Sequence, residues 1–112
     1  MGQSVSGYVK TSKQIAEYAD PVFRKYGVRK AILFGSFASG RQSRKSDVDL
    51  VLIQDTDKRY FDRFEGILGE LYDAIRGRDI DVFIYTPNEL EKISHRKFIQ
   101  RILREGKVIY ES

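Results

Sequence analysis

The sequence predicts a small α/β (α+β) domain in which a mixed β-sheet carries helices packed mainly on one face. Three apolar runs, at residues 28–34, 47–53 and 79–85, have the length and the β-branched or aromatic content of strands. The segments around them carry apolar residues at helical spacing. Because 112 residues are too few to cover both faces of a large sheet, we expect one small sheet with a single core.

The first helix is predicted over residues 12–26, where an apolar stripe ends before Gly27, a residue suited to a helix stop. Pro21 falls inside this span and has no main-chain N–H, so we expect a kink or an interruption there. The first strand then runs into Gly35, and a short helical segment is predicted from there to Gly40.

The longest helix is predicted at residues 57–76, because apolar residues hold a helical stripe through five turns. After the third strand, Thr86 can cap a helix that has Pro87 in its first turn and Glu89 at the capping-box position. Residues 107–111 predict a short closing strand. The stripe of the long helix comprises Tyr60, Phe61, Phe64, Ile67, Leu68, Leu71, Tyr72 and Ile75, and the last helix is expected to bury Phe98, Ile99, Ile102 and Leu103.

The composition narrows the class of protein. The chain has no cysteine, which excludes disulfides and thiolate metal sites and favours a reducing, cytoplasmic compartment. It has neither the roughly 20-residue apolar run of a membrane helix nor the apolar stretch of a secretory signal. We expect residues 1–11 to form a flexible tail and residues 12–112 to form one domain. The 20 basic and 16 acidic side chains give a net charge of +4, which fits either a well-solvated surface or a phosphate-rich partner.

Two pairs of aspartates stand at the start of the second and third strands. Asp47 and Asp49 are two residues apart, so on a strand their side chains share a face, roughly 6–7 Å apart. Neighbouring carboxylates repel each other, and a divalent cation such as Mg²⁺ removes the conflict. Asp79 and Asp81 repeat the spacing, and Asp81 could complete a three-carboxylate site for two metal ions. The alternative is structural, because charged residues at strand edges also resist edge-to-edge pairing.

A glycine–serine turn follows the first strand. Glycine at position 35 allows a ligand to approach the main chain closely, and the N–H groups at the start of a helix attract anions. The hydroxyl of Ser36 can add a donor to a phosphate oxygen. Three cations of the following loop, Arg41, Arg44 and Lys45, could neutralise a triphosphate. The alternative is an ordinary turn in which Ser36 caps a helix and the loop cations are solvated.

These residues together resemble the signature of a known family. Gly35-Ser36, ten residues and then Asp47-Val48-Asp49 are similar to the G-S-x₁₀-D-x-D motif of the polymerase-β-like nucleotidyltransferase superfamily. The run GSFASGRQSRKSDVDLVL resembles the minimal nucleotidyltransferase (MNT) branch, to which the antitoxins of HEPN/MNT systems belong. The tail FIQRILREGKVIYES is also similar to the usual MNT ending, so the resemblance covers roughly residues 12–112.

The resemblance implies a nucleotidyltransferase fold, a reaction and roles for the site residues. Asp47, Asp49 and Asp81 would be catalytic and would bind two Mg²⁺ ions, with Asp81 helping to activate the acceptor hydroxyl. Gly35 and Ser36 would hold the outer phosphates of ATP or another NTP. The acceptor oxygen would attack the α-phosphorus and pyrophosphate would leave. Asp79 shares a face with Asp81, but the family position fits Asp81 better.

The resemblance also implies a partner. MNT proteins often act as antitoxins that transfer AMP to a tyrosine of a helical HEPN toxin, and this chain has no room for an acceptor-binding domain of its own. A homo-oligomer could complete the acceptor site instead. The alternatives are a binding-only antitoxin, or transfer to a small molecule such as an aminoglycoside or to an RNA end. The apolar side of the last helix, with Phe98, Ile99, Ile102 and Leu103, is a candidate partner surface, although a helix packed on its own sheet is the simpler interpretation.

Overall fold

A four-stranded mixed sheet forms the centre of the computed structural model, which describes residues 9–112. The strands are β1 (Val28–Phe34), β2 (Val48–Gln54), β3 (Ile80–Tyr85) and β4 (Lys107–Glu111). Their order in the sheet is β3-β2-β1-β4. β2 and β3 run parallel, whereas β1 is antiparallel to both β2 and β4. The predicted mixed sheet and the predicted closing strand are therefore confirmed.

Five α-helices surround the sheet within the described part of the chain. They are α1 (Ser12–Lys25), α2 (Ser36–Ser39), α3 (Ile67–Ala74), α4 (Pro87–Ile93) and α5 (Lys97–Glu105). The expected start of α4 is confirmed, because Thr86 and Glu89 form a reciprocal capping box and Pro87 occupies the first turn. The interruption expected at Pro21 is absent. Pro21 is exposed, and α1 continues through it as a single helix.

The single long helix predicted at residues 57–76 is wrong. A 3₁₀ segment, Tyr60–Phe64, is separated from α3 by a turn at Gly66. Gly66 has a φ of +82°, and a Cβ added there would lie 2.6 Å from the Tyr26 hydroxyl, so the chain turns where only glycine fits. Phe61 is 84% exposed. The apolar stripe predicted for the long helix therefore included a residue that does not pack in the core.

The core lies on both faces of the sheet. The larger cluster, on one face, packs α1 and α3 against the strands, as the predicted one-sided arrangement requires. A smaller cluster on the other face places Ile99 and Ile102 of α5 against Ile32 and Val51. The buried face predicted for α5 is therefore only half correct. Ile99 and Ile102 are buried, but Phe98 is 52% exposed and Leu103 is 47% exposed, because α5 covers only part of this face.

The packed structure begins before α1. Val9 is 3% exposed and joins the larger cluster, and Thr11 caps α1, so the last three residues of the expected tail 1–11 are part of the fold. Residues 1–8 of that tail lie outside the described residues. No helix between Val9 and Ser112 is both long and apolar enough to span a bilayer.

A buried arginine joins the 3₁₀ segment to β3 and α4. The Arg63 guanidinium donates two hydrogen bonds to the Glu89 carboxylate, at 2.6 and 2.8 Å, and one to the main-chain oxygen of Ile84, at 3.0 Å. Arg63 is almost fully buried, whereas the Glu89 side chain is partly exposed. The guanidinium lowers the pKa of Glu89 from 4.5 to about 2.

We predict that Glu89→Gln lowers the free energy of unfolding by about 1–3 kcal/mol at neutral pH, because it leaves a buried guanidinium without its anion. The pKa of Glu89 is lower in the folded state than in the unfolded state, so the contribution disappears as pH falls from about 4.5 towards 2. Urea unfolding of both proteins across this range measures the difference.

The exposed Glu91→Gln on the same helix is the control, and it should leave the free energy of unfolding within about 0.5 kcal/mol of the wild type. A Glu89→Gln effect of the same size at neutral pH and at pH near 2 would contradict the predicted ion pair.

Candidate active site

The register of the sheet assembles the site from three neighbouring strands. Phe34 at the end of β1 lies opposite Asp49 on β2, and Asp49 lies opposite Asp81 on β3. Because β1 is antiparallel to the other two, its last residue reaches the same end of the sheet as their first residues. The turn after β1 and the two carboxylates are consequently adjacent, although they are far apart in sequence.

Asp49 and Asp81 lie directly opposite each other on β2 and β3. Burial, the charge of Asp81, a side-chain hydrogen bond with Asp81 and the charge of Asp47 together raise the pKa of Asp49 from 3.8 to about 6. Two carboxyl groups in such contact cannot both ionise easily. The pair is therefore an arrangement that a bound cation would stabilise in its fully ionised form.

Asp47 lies one residue before β2 and has an exposed side chain. Its charge acts on Asp49, as expected for carboxylates two residues apart. Between residues 9 and 112, no three Asp, Glu, Cys or His side chains already converge as ligands of one metal ion. The donor set nevertheless fits a hard divalent cation, because it offers only carboxylate oxygens and because a cation would offset the repulsion between two neighbouring carboxylates.

The turn after β1 can only be made by glycine. Gly35 has a φ of +76°, and a Cβ built there would collide with the Oδ2 atom of Asp49. Its carbonyl accepts hydrogen bonds from Ala38 and Ser39, which begins the predicted short helix α2. The main chain at Gly35 is therefore held directly against the Asp49 carboxylate.

The three loop cations separate onto two sides of the site. Arg41 lines a pocket of about 520 Å³ that also contains Gly35, Ser36, Phe98 and Arg101.

The other two loop cations, Arg44 and Lys45, line a different pocket, next to Asp47 and Asp79. The sequence placed all three in one group of candidate phosphate ligands, whereas only Arg41 lies beside the glycine–serine turn.

The structure separates the two aspartates of the third strand. β3 begins at Ile80, and Asp79 lies before it, where its main-chain oxygen accepts a hydrogen bond of 2.9 Å from Val48. Asp81 is the residue whose carboxyl group contacts Asp49. The geometry therefore favours Asp81 as the third carboxylate of the site.

Sequence reasoning did not identify Arg78, which anchors the loop that leads into Asp47. Its guanidinium is buried and donates to the main-chain oxygens of Val9, Ser43 and Ser46, at 2.8, 2.5 and 2.9 Å. It also lies 5.0 Å from the ring centre of Phe37 on α2. Arg78 thus holds the loop between the glycine–serine turn and Asp47. An arginine after Gly77 resembles an ordinary solvated cation, so no sequence signal indicated this role.

The fold and the site together define a nucleotidyltransferase, and comparison with known proteins agrees. The model of the family described as "Polymerase beta, Nucleotidyltransferase" matches residues 13–112. This match covers most of the chain, which therefore belongs to the polymerase-β nucleotidyltransferase family.

Individual relatives are similar over nearly the whole chain. "Putative protein adenylyltransferase MJ0604" of Methanocaldococcus jannaschii is 30% identical over 100 residues, which are 88% of this chain and 96% of the relative. A crystal structure of a toxin–antitoxin complex with AMP-PNP superposes with a TM-score of 0.65 at 22% identity, over 87% of this chain and 73% of that one. A toxin–antitoxin MntA-HpeT mutant gives 0.63 at 19% identity, over the same shares. At these identities the two structures establish the fold.

We predict that the Asp49 carboxyl group titrates near pH 6 in the metal-free protein, as carbon-detected NMR can measure. Asp81→Asn should lower this pKa partway towards 3.8, because it removes a like charge but leaves Asp49 buried. Asp79→Asn is the matched control and should leave it unchanged. An ordinary pKa for Asp49 in the wild type, or equal shifts in the two variants, would contradict the described pair.

Proposed function

We propose that this protein transfers AMP from ATP to an acceptor hydroxyl in an Mg²⁺-dependent reaction. The observation that carries the proposal is the contact between the Asp49 and Asp81 carboxyl groups beside the Gly35–Ser36 turn. Family membership supports the reaction class. A relative whose name marks it as a protein adenylyltransferase supports AMP as the transferred group and a protein as the acceptor.

Each site residue has a role in this proposal. Asp47, Asp49 and Asp81 hold two Mg²⁺ ions, which supply charge neutralisation for the phosphates when bound. The main chain of Gly35 and the hydroxyl of Ser36 would hold the outer phosphates.

Arg41, which lines the pocket beside the Gly35–Ser36 turn, balances phosphate charge. Asp81 accepts the proton of the acceptor hydroxyl. Positioning and electrostatic stabilisation then account for most of the catalysis.

We further propose that the acceptor is a tyrosine of a partner toxin of the HEPN type, so that the protein acts as an antitoxin in the cytoplasm. Two of the solved structures similar to this chain are of a toxin–antitoxin, one of them with AMP-PNP and the other carrying two aspartates, two positions apart, changed to glutamate. Phe98 of α5 is 52% exposed and lines the pocket beside the Gly35–Ser36 turn, where an apolar ring suits contact with a protein partner.

The decisive test uses ATP labelled at the α-phosphate, with Mg²⁺ and the co-expressed partner protein, and ATP labelled at the γ-phosphate beside it. We expect label from the α-position only, on a tyrosine of the partner. Transfer from the γ-position would mean a kinase and would overturn the proposal. Labelling of a small molecule or of RNA in place of the partner would keep the reaction class and change the acceptor.

We predict that the Asp47→Asn/Asp49→Asn double variant and Asp81→Asn each lower the transfer rate at least about 100-fold, because they remove ligands of the phosphate-bound cations. Asp79→Asn has the same change of charge outside the carboxylate pair and should keep most of the activity. Loss in Asp79→Asn with retention in Asp81→Asn would reverse the assignment. A double variant that still neutralises the toxin in cells would indicate an antitoxin that works by binding alone.

A further inference from the structure

The arrangement of the strands fixes the side from which an acceptor can approach. The glycine–serine turn extends from β1, Asp49 lies on the neighbouring β2, and Asp81 lies on β3 beyond it. If the outer phosphates occupy the turn, the leaving pyrophosphate lies on the β1 side of Asp49. In-line displacement then requires the attacking oxygen on the opposite side. That side is the outer edge of β3, the end strand of the sheet.

Side chains occupy both ends of this edge. The N–H of Val48 donates a hydrogen bond to the main-chain oxygen of Asp79, so every second residue of β3 directs its N–H and carbonyl groups towards β2. The main-chain groups of the alternate residues, Ile80, Val82 and Ile84, therefore point away from the sheet. The Tyr72 hydroxyl bonds both the N–H of Ile80, at 3.0 Å, and its oxygen, at 3.4 Å.

At the other end, the Arg63 guanidinium bonds the Ile84 oxygen at 3.0 Å, and the Tyr60 phenol interacts with the Ile84 main chain.

Val82 is the remaining outward residue, midway between the two occupied ends. Within residues 9–112, no group hydrogen-bonds its N–H or its carbonyl oxygen. An open pocket at this point is lined by Phe64, Leu68 and Val82 on one side of the edge and by Asp49 and Asp81 on the other. The vacant donor and acceptor of Val82 therefore share one pocket with both carboxylates.

We propose that the main chain of Val82 is the docking point for the acceptor polypeptide. One residue of the acceptor pairs its N–H and carbonyl oxygen with those of Val82, as in an added β-strand. The apolar pocket takes a neighbouring side chain, and the acceptor hydroxyl enters beside Asp81. This inference rests on the proposed nucleotidyl transfer to a protein and specifies how that substrate is recognised.

The geometry limits the kind of acceptor segment. A residue inside a helix has already used its main-chain groups in the helical hydrogen bonds, so it cannot pair with Val82. Because Tyr72 and Arg63 occupy the flanking positions, a long added strand is excluded as well. The acceptor hydroxyl therefore belongs to an extended loop or chain terminus that reaches the edge with a single residue pair.

The test compares two hydroxyl acceptors with ATP labelled at the α-phosphate. One is a pool of short synthetic peptides with a fixed central tyrosine, and the other is tyramine, which offers a phenol without a peptide main chain. We expect the wild type to label the peptides at least about tenfold faster than tyramine at equal phenol concentration, as one pair of main-chain hydrogen bonds allows.

Val82→Pro removes the outward N–H, and the ladder to β2 does not use that group. Proline is tolerated on edge strands when its nitrogen faces outwards. We expect the ratio of the peptide labelling rate to the tyramine labelling rate to be at least about tenfold lower in this variant than in the wild type. Val82→Thr is the matched control, because it is β-branched, keeps the N–H and should keep the preference. Equal preference in the two variants would overturn the docking proposal while leaving nucleotidyl transfer intact.

Two further outcomes of this test are interpreted separately: a failure to label the acceptors, and a variant that does not fold. If the wild type labels the partner toxin but not the peptides, the docking proposal fails and the proposed transfer stands, whereas labelling of no acceptor at all overturns both. If Val82→Pro does not fold, the wild type is tested with the best-labelled peptide, in which single amides near the tyrosine are replaced by esters. A loss of at least about tenfold at one position supports the pairing with Val82, whereas uniform labelling of all the ester peptides overturns it.

Discussion

The close approach between Gly35 and the Asp49 carboxylate is the constraint on which the rest of the site depends. Antiparallel pairing brings the end of β1 over the start of β2, and there is no space for a side chain at the turn. The chain must therefore turn there with a positive φ, enter α2, and return through the loop to reach β2. The glycine–serine turn and the aspartates of β2 are thus two sides of one packing contact.

The carboxyl pair is unfavourable when considered by itself. Strand pairing holds Asp49 and Asp81 opposite each other, and burial together with the neighbouring charge of Asp81 raises the pKa of Asp49. A few residues further along the strands, Val51 and Phe83 belong to an apolar cluster that fixes the register. The sheet thereby imposes a repulsive arrangement on the free protein, and ligand charge can relieve it. Perturbed ionisation of this kind is typical of functional sites.

Local patterns predicted the strands, the capping box of α4 and the aspartate pairs, because strand alternation and helix caps depend on neighbouring residues. The break at Gly66 was not predictable in this way, since the space that excludes a side chain there is taken by the Tyr26 hydroxyl, which is distant in sequence. The distinction between Asp79 and Asp81 also required the pairing of β3 with β2, which periodicity cannot supply. Arg63, like Arg78, was missed because a buried arginine has the same sequence appearance as a solvated one.

Because Arg78 holds the loop before Asp47 through main-chain atoms, this anchor does not depend on the side chains that the loop carries. Its hydrogen bonds end on the main-chain oxygens of Ser43 and Ser46, and these atoms are present whatever side chains the loop carries. The loop can exchange its amino acids, including Arg44 and Lys45, without losing the anchor that sets its path. Substitutions in this loop could therefore change the preference for acceptor or nucleotide, while Asp47, Asp49 and Asp81 keep their positions.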